Sequence, residues 1–283
     1  MHLMKNAKHL FGAAAILFAC ANAHAQFGGI KLPSLGGNPI DLTKTVNSLS
    51  KLGDIDEAHE IEIGQNYASI LLGAKPLLRD EHVQRYVNTL GRWLALQSER
   101  PDLPWTFAVI DDPGFNAFAT PGGYVFVTRG LLERMQNESE LAGVLGHEIG
   151  HVLRKHYLKS VKKSAVLSLV TDNVNTGSSQ LKTALLNLFK DTYTKGLDQE
   201  DEYEADRVGV VIAARAGYDP FGLPAVLQIL QEQSGKDNNF SLMLSTHPAP
   251  GDRLDRLDRL MKNTFDNSSG VAGPSLAQRI REF

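Results

Sequence analysis

Apolar positions along the chain change their period twice, and those changes outline the elements. From Asp56 the spacing is helical. Residues 57–72 carry Ile61, Tyr67, Ile70 and Leu71 on one stripe, and residues 80–97 carry Val83, Tyr86, Val87, Leu90 and Leu94 at i, i+3, i+4, i+7, the period of a helix with one buried face. The period then shortens to two. WTFAVID at 105–111 alternates, and FNAFATPGGYVFVT at 115–128 predicts two short strands around the turn Pro121-Gly122-Gly123,. A long helix follows. Asn137 is its expected N-cap, Glu140 the capping-box partner three residues on, and Leu141, Val144, Leu145, Ile149 and Val152 its apolar content,.

In the second half, TDNVNTGSSQ at 171–180 reads as a loop and 181–189 as a short apolar helix. Asp198 is expected to cap a helix that continues to Ala216 and stops at Gly217, with a further helix at 223–233,. STHPAPGDRLDRLDRLM at 245–261 begins as a Pro-rich turn and becomes a helix. Its LDRLDRL echo predicts one apolar face and solvated Asp/Arg pairs. The tail, 263–283, is polar and expected to fray,. Helices outnumber strands throughout, so the expected class is α+β, mostly helical with a small sheet.

The first residues change the picture of where the fold begins. Lys5 and Lys8 precede an apolar run at 10–19, and Ala23 and Ala25 occupy the small positions of an A-x-A cleavage site. This is the pattern of a secretory signal peptide, read as residues 1–25. LFAC at 17–20 also resembles a lipobox. The better-formed A-x-A site favours a soluble exported chain, with membrane association through a lipidated Cys20 as the alternative. Residues 26–55 are rich in Gly, Pro and Ser and read as a flexible segment with at most one weak helical turn,. Cys20 is the chain's one cysteine, so burial and a bound metal, not a disulfide, are expected to hold the exported domain together. A net charge of −3 and a pI near 6.3, with no basic block, argue against a nucleic-acid partner.

The strongest motif is HEIGH at 147–151. Two histidines at i and i+4 are about 40° apart around a helix axis, so His147 and His151 can reach one ion. Glu148 lies on the flank of that face, placed to take a proton from a water that zinc acidifies. Unpartnered, the three groups would be costly to bury in so apolar a helix. A catalytic zinc wants three protein ligands. Nine steps of about 100° carry His156 to the opposite face, which makes it a polar neighbour or solvent contact. The acidic stretch DQEDEYEADRVG at 198–209 offers Glu202 and Asp206 at i and i+4. Glu202 can close the triad, and Asp206 can accept the free ring N–H of a ligating histidine. Glu204 falls on the wrong side, and Glu200 and Asp201 suit the positive end of the helix.

HEIGH together with EYEAD at 202–206 resembles the M48 family of zinc metallopeptidases, to which the CAAX-prenyl protease and the heat-shock membrane protease belong. The likeness spans roughly 56–260, and the metallopeptidase domain is read as 56–262. It implies a zincin-like domain with His147, His151 and Glu202 on one Zn2+, Glu148 as base and Asp206 behind a ligand. It further implies that 115–120 is an edge strand beside the site, with Asn116 and Ala117 as candidate contacts to an extended substrate; an ordinary hairpin is the other reading. His247, otherwise a helix-start residue before Pro248, would face the zinc. There it would either stabilise the oxyanion or occupy the fourth position and hold the enzyme latent. Arg253 would be a second donor or an anchor to a carboxylate. The implied partners are polypeptides, unfolded envelope proteins above all, and the implied role is quality control in the periplasm. The alternative is a zinc-containing assembly helper that does not cleave, and an exopeptidase is also open. Unlike other members, the chain has no run of transmembrane length and too few residues after Met261 for tetratricopeptide repeats, so no large built-in partner module is expected,.

Overall fold

A computed structural model describes residues 26–27, 30–31, 55–160, 196–233, 236–240, 243, 246–247, 249–262, 264–265 and 270–282. The leader with Cys20, the loop expected at 171–180 and the helix expected at 181–189 lie outside the described residues.

A short antiparallel ladder pairs β1 (Gln26–Phe27) with β2 (Ile30–Lys31), inside the segment expected to be a tether. Helix α1 (Glu57–Ala74) is capped by Asp56 and α2 (Glu81–Ala95) by Asp80, each carboxylate accepting backbone N–H groups of the first turn,. The sheet has order β3 (Thr106–Ile110), β5 (Tyr124–Thr128), β4 (Ala117–Thr120), with β3 parallel and β4 antiparallel to the central β5. β4 and β5 are joined by the turn Pro121–Gly123, in which Gly122 has φ +74. That left-handed conformation suits glycine.

The alternation of residues in these strands does not separate core from solvent. It separates two cores. Phe107, Val109, Ala117, Ala119, Val125 and Val127 join a cluster with α2 and the central helix. Ala108, Ile110, Phe118, Tyr124 and Phe126 join one with Ala68 and Leu71 of α1. The sheet is therefore covered on both faces, and β4 is buried along its length although it is an edge strand.

A short helix the period did not reveal, α3 (Arg129–Arg134), is capped by Thr128. The central helix α4 (Glu138–Leu153) is buried at every position. Asn137 caps it as expected, but Glu140 reaches back to the N–H of Gln136 at 2.7 Å. Then follow α5 (Gln199–Arg215), α6 (Gly222–Gln233) and α7 (Pro250–Met261). Asp198 occupies the N-cap position of α5 without a side-chain capping bond. α7 begins at Pro250, not at Pro248.

The tail expected to fray instead packs. Helix α8 (Leu276–Glu282) buries Leu276 in the main core. The segment before it supplies Ala272 O to Ser139 N and takes Gln136 O for Leu276 N, and Arg279 pairs with Glu138 at 3.1 Å. The first turn of α4 needs acceptors for its free N–H groups, and this segment provides one. No helix among the described residues is long and apolar enough to cross a membrane.

Candidate metal centre

α4 and α5 pack along each other through small residues. A Cβ on Gly209 would lie 2.6 Å from His147 N, one on Gly146 2.8 Å from Gly209 O, and one on Gly150 3.0 Å from Ala205 O. This close approach brings Glu202 of α5 to the two histidines of α4. His147 Nε2 and His151 Nε2 are 3.0 Å apart, and Glu202 lies 3.6 Å from the first and 3.4 Å from the second. His247 enters from the segment before α7, its Nε2 at 3.8 Å from Glu202 Oε2. The four residues offer ligand atoms that all lie within 4.8 Å of one another. Tetrahedral coordination at about 2.0–2.1 Å sets ligand atoms about 3.3 Å apart, close to the three shortest of these separations.

All four are nearly excluded from water, and burial governs their protonation. Burial, then the neighbouring imidazoles and Arg253, pushes His151 well below its ordinary value. Burial and Arg253 do the same for His247 and, less strongly, for His147. The imidazoles are thus neutral near pH 7, with lone pairs to offer. Burial also raises Glu202 well above the carboxylate range and pushes Glu148 up to about 8, Arg253 opposing in both cases. Both Glu148 oxygens, Glu202 Oε2 and His247 Nε2 are buried without a hydrogen-bond partner. Orphaned polar atoms converging on one point are costly to fold around unless a further group satisfies them. Two imidazoles and a carboxylate, with a third imidazole at hand, fit a transition-metal ion.

Behind these groups stands a supporting layer. His147 Nδ1 donates to Asp206 Oδ1 at 2.8 Å. Asp206 in turn accepts two bonds from Arg253, at 2.8 and 2.5 Å. Burial pulls Asp206 upward, but Arg253 and His147 outweigh it and hold the carboxyl well below its usual range. Arg253, the residue before the LDRLDRL echo, is 2% exposed, and of the two roles open to it the geometry shows the anchor: its guanidinium ties α7 to the Asp206 carboxylate.

His156 departs furthest from expectation. It neither lies on the opposite face nor touches solvent: it is fully buried, with Nδ1 2.9 Å from His151 Nδ1. The wheel fails because α4 ends at Leu153 and Lys155 takes φ +56, so the helical phase is not carried on to His156. Glu204, expected to be peripheral, accepts from His156 Nε2 at 3.3 Å and pairs with Arg154 at 3.2 Å.

A narrow cleft opens from the centre along β4. Its lining includes Asn116 to Pro121, Tyr157, Glu202 and His247, and its volume of about 30 Å³ suits one or two waters. Asn116 has no backbone group to offer here. Its N–H donates to Thr128 Oγ1, and its carbonyl accepts from Thr128 N and Oγ1. Antiparallel pairing alternates, so Ala117 and Ala119 turn their backbone groups to the open edge. Ala119 was missed from the sequence, although the register of the hairpin would have given it.

A metal site carried on a buried helix, completed from a second helix and set beneath a sheet edge, is the arrangement of a metallopeptidase. The chain belongs to peptidase family M48, whose family model matches residues 81–261. It is 33% identical over 245 residues to a putative beta-barrel assembly-enhancing protease of Vibrio cholerae, covering 83% of this chain and 48% of that protein. The beta-barrel assembly-enhancing protease of Escherichia coli is 33% identical over 205 residues, covering 69% and 42%. The mitochondrial metalloendopeptidase OMA1 of Arabidopsis thaliana is 32% identical over 182 residues, covering 61% and 35%. The chain thus spans about half the length, or less, of these curated relatives.

Proposed function

We propose that the chain is a zinc metalloendopeptidase of the bacterial envelope that cleaves misfolded or misassembled proteins. The observation that carries this reading is the convergence of His147, His151 and Glu202 beside an unpartnered Glu148 carboxylate. Zinc suits a donor set of two imidazoles and a carboxylate at tetrahedral spacing. When bound, it supplies a Lewis acid that activates the attacking water and polarises the scissile carbonyl. Glu148 would take a proton of the attacking water at a carboxylate oxygen as the C–O bond forms, and would then pass it to the leaving amine as the C–N bond breaks. A carboxyl pushed up to about 8 is close to the pH at which such a proton shuttle works well. The open edge at Ala117 and Ala119 binds substrate as an added strand, which gives affinity with little sequence preference. Asp206 fixes the His147 ring, and Arg253 fixes Asp206.

His247 supports a second reading. Its Nε2 sits among the ligand atoms, where it could complete the coordination and hold the centre latent, as a non-cleaving assembly factor would require. The competing role is stabilising the charge that develops on the carbonyl oxygen. His247→Ala separates these: gained cleavage means a gate, and lost cleavage with the metal retained means a transition-state role.

The catalytic unit is residues 56–262, extended by the packed segment 270–282. Export to the periplasm removes residues 1–25, and the intact mass of the exported protein distinguishes this from lipidation at Cys20. The assembly-related names of the relatives support an envelope role. The direct test is metal content and casein cleavage by the wild type and by Glu148→Gln. The variant should keep about one zinc per chain and lose cleavage; a variant that cleaves at the wild-type rate would overturn the assignment.

A further inference from the structure

His156 takes no part in the steps above, yet it is among the most buried polar residues. Its position depends on an unusual backbone. Lys155 is the sole non-glycine residue with positive φ among the described residues. A left-handed residue of this kind is disfavoured unless its surroundings hold it. Lys155 interrupts the helix, so that the helical stretch 156–160 no longer follows the wheel of α4 and His156 meets His151.

The hydrogen bond between the two Nδ1 atoms, at 2.9 Å, requires one N–H and one lone pair. His151 can serve as a ligand through Nε2, the atom 3.0 Å from His147 Nε2 and 3.4 Å from Glu202. Its proton must then sit on Nδ1, which makes His156 Nδ1 the acceptor and leaves the His156 proton on Nε2. That nitrogen is 3.3 Å from both Asp201 Oδ1 and Glu204 Oε2, carboxylate oxygens that accept. The opposite pair of tautomers would set the His156 Nε2 lone pair against two carboxylates and put a proton on the His151 atom that faces the ligand cluster. The first arrangement leaves the Nε2 lone pairs of His147 and His151 facing each other at 3.0 Å, so it satisfies every contact once a cation lies between them.

We propose that His156, oriented by Asp201 and Glu204 on the first turns of α5, is a positioning residue that locks His151 in its Nδ1–H tautomer. It is the counterpart for His151 of what Asp206 is for His147. The proposal rests on the reading that His147, His151 and Glu202 hold a divalent metal. His156, Asp201 and Glu204 could themselves gather an ion. However, Arg154 lies 3.2 Å from Glu204 and Lys159 3.9 Å from Asp201, so these carboxylates already face cations, which favours the hydrogen-bonding role.

The test measures zinc affinity by competition with a chromophoric chelator, in the full chain and its variants, with a thermal melt of each metal-free protein. His156→Phe should weaken zinc binding about 10–100-fold. His156→Asn should recover most of that loss, because its Oδ1 replaces Nδ1 as acceptor. Independently of any variant, nitrogen-15 NMR of the zinc-loaded wild type should find His151 protonated at Nδ1 and His156 at Nε2; the reverse pair overturns the proposal. So does a His156→Phe protein that melts like the wild type and binds zinc as tightly. A second zinc equivalent, lost in His156→Phe while the first is unaffected, would make His156 a ligand and also overturn it. If His147→Ala and Glu202→Ala bind zinc like the wild type, the metal-centre reading falls and this proposal with it.

Discussion

Gly209→Ala tests whether the helix crossing builds the site. The new Cβ would lie 2.6 Å from His147 N and 2.9 Å from Gly146 C and His147 Cα. Non-bonded heavy atoms rest at about 3.5–4.0 Å, so α5 must retreat from α4 by about 1 Å. Both contacts are backbone atoms of a helix buried on every face, and they cannot rotate aside. Overpacking of this kind costs about 1–3 kcal/mol, partly offset by the gain of up to about 1 kcal/mol when alanine replaces glycine in a helix. The expected net loss is about 0–2 kcal/mol, so the protein should still fold. The metal centre should suffer more. The atom struck belongs to His147, a proposed ligand, and Glu202 lies two turns back from Gly209 on α5. A displacement near 1 Å, against separations of 3.4–3.6 Å from Glu202 to the histidines, should weaken zinc binding at least 10-fold, as a site 1 Å too loose does. Gly73→Ala is the control, because a Cβ there meets nothing within 4 Å and changes helix propensity alone. Chemical denaturation and chelator competition read the two quantities. A Gly209→Ala protein that matches Gly73→Ala in stability and the wild type in zinc affinity would refute the reasoning.

Asp206→Ala should destabilise the metal-free protein by about 3–5 kcal/mol in a denaturant titration, because it leaves the buried Arg253 charge without its carboxylate. Leu276→Ala should cost about 2–5 kcal/mol with zinc affinity unchanged, since the C-terminal helix packs on the core and not on the centre. The pH dependence of the metal-free protein should carry the mark of Glu148, raised from 4.5 to about 8 by burial. Between those values the unfolded chain releases a proton that the folded chain keeps, so stability falls as pH rises through that window, by on the order of a few kcal/mol. Glu148→Gln lacks this contribution, so its stability relative to the wild type should grow from pH 4.5 to 8 in melts of the metal-free proteins; a constant difference would refute the burial argument.

The parts of the site legible in the sequence are those set by a single helix period. His147 with His151, and Glu202 with Asp206, are i and i+4 pairs, and each pair does share a face. The failures come where the period is broken or shared. His156 was extrapolated along a helix that had already ended, and nothing in RKH at 154–156 announces a left-handed lysine. Arg253 repeats at a spacing of three with Arg256 and Arg259, and it was the family resemblance, not the period, that singled it out as an anchor to a carboxylate; the partner, Asp206, lies 47 residues away in the chain. A repeat cannot show which of its members another helix selects. The strand pattern hid a second core because α1 covers the face that alternation assigned to solvent. The tail looked frayed because its composition is polar, while its binding depends on the unpaired N–H groups at the start of α4. The crossing itself did leave a signal. Gly146, Gly150 and Gly209, together with Ala205, keep both helices free of bulk at four-residue steps.

The charges around the centre explain why so polar a cluster can sit in a core. Glu148, Glu202 and Asp206 are each at most 1% exposed, and Arg253, 2% exposed, is the one guanidinium among them. With the imidazoles neutral, three ionised carboxylates would leave two negative charges uncompensated, which a core does not tolerate. Asp206 escapes the difficulty by pairing with Arg253 and stays ionised. Glu148 has no such partner and Glu202 only a long contact with the same Arg253, at 3.8 Å, and burial drives both to hold protons. A divalent cation supplies the two missing charges, so the ion and the protons compete for the same deficit. Its affinity should therefore fall as pH falls. The same competition gives Glu148 its character. Under the proposed mechanism it takes a proton and then returns it, and a carboxyl that burial pushes up to about 8 suits that exchange,.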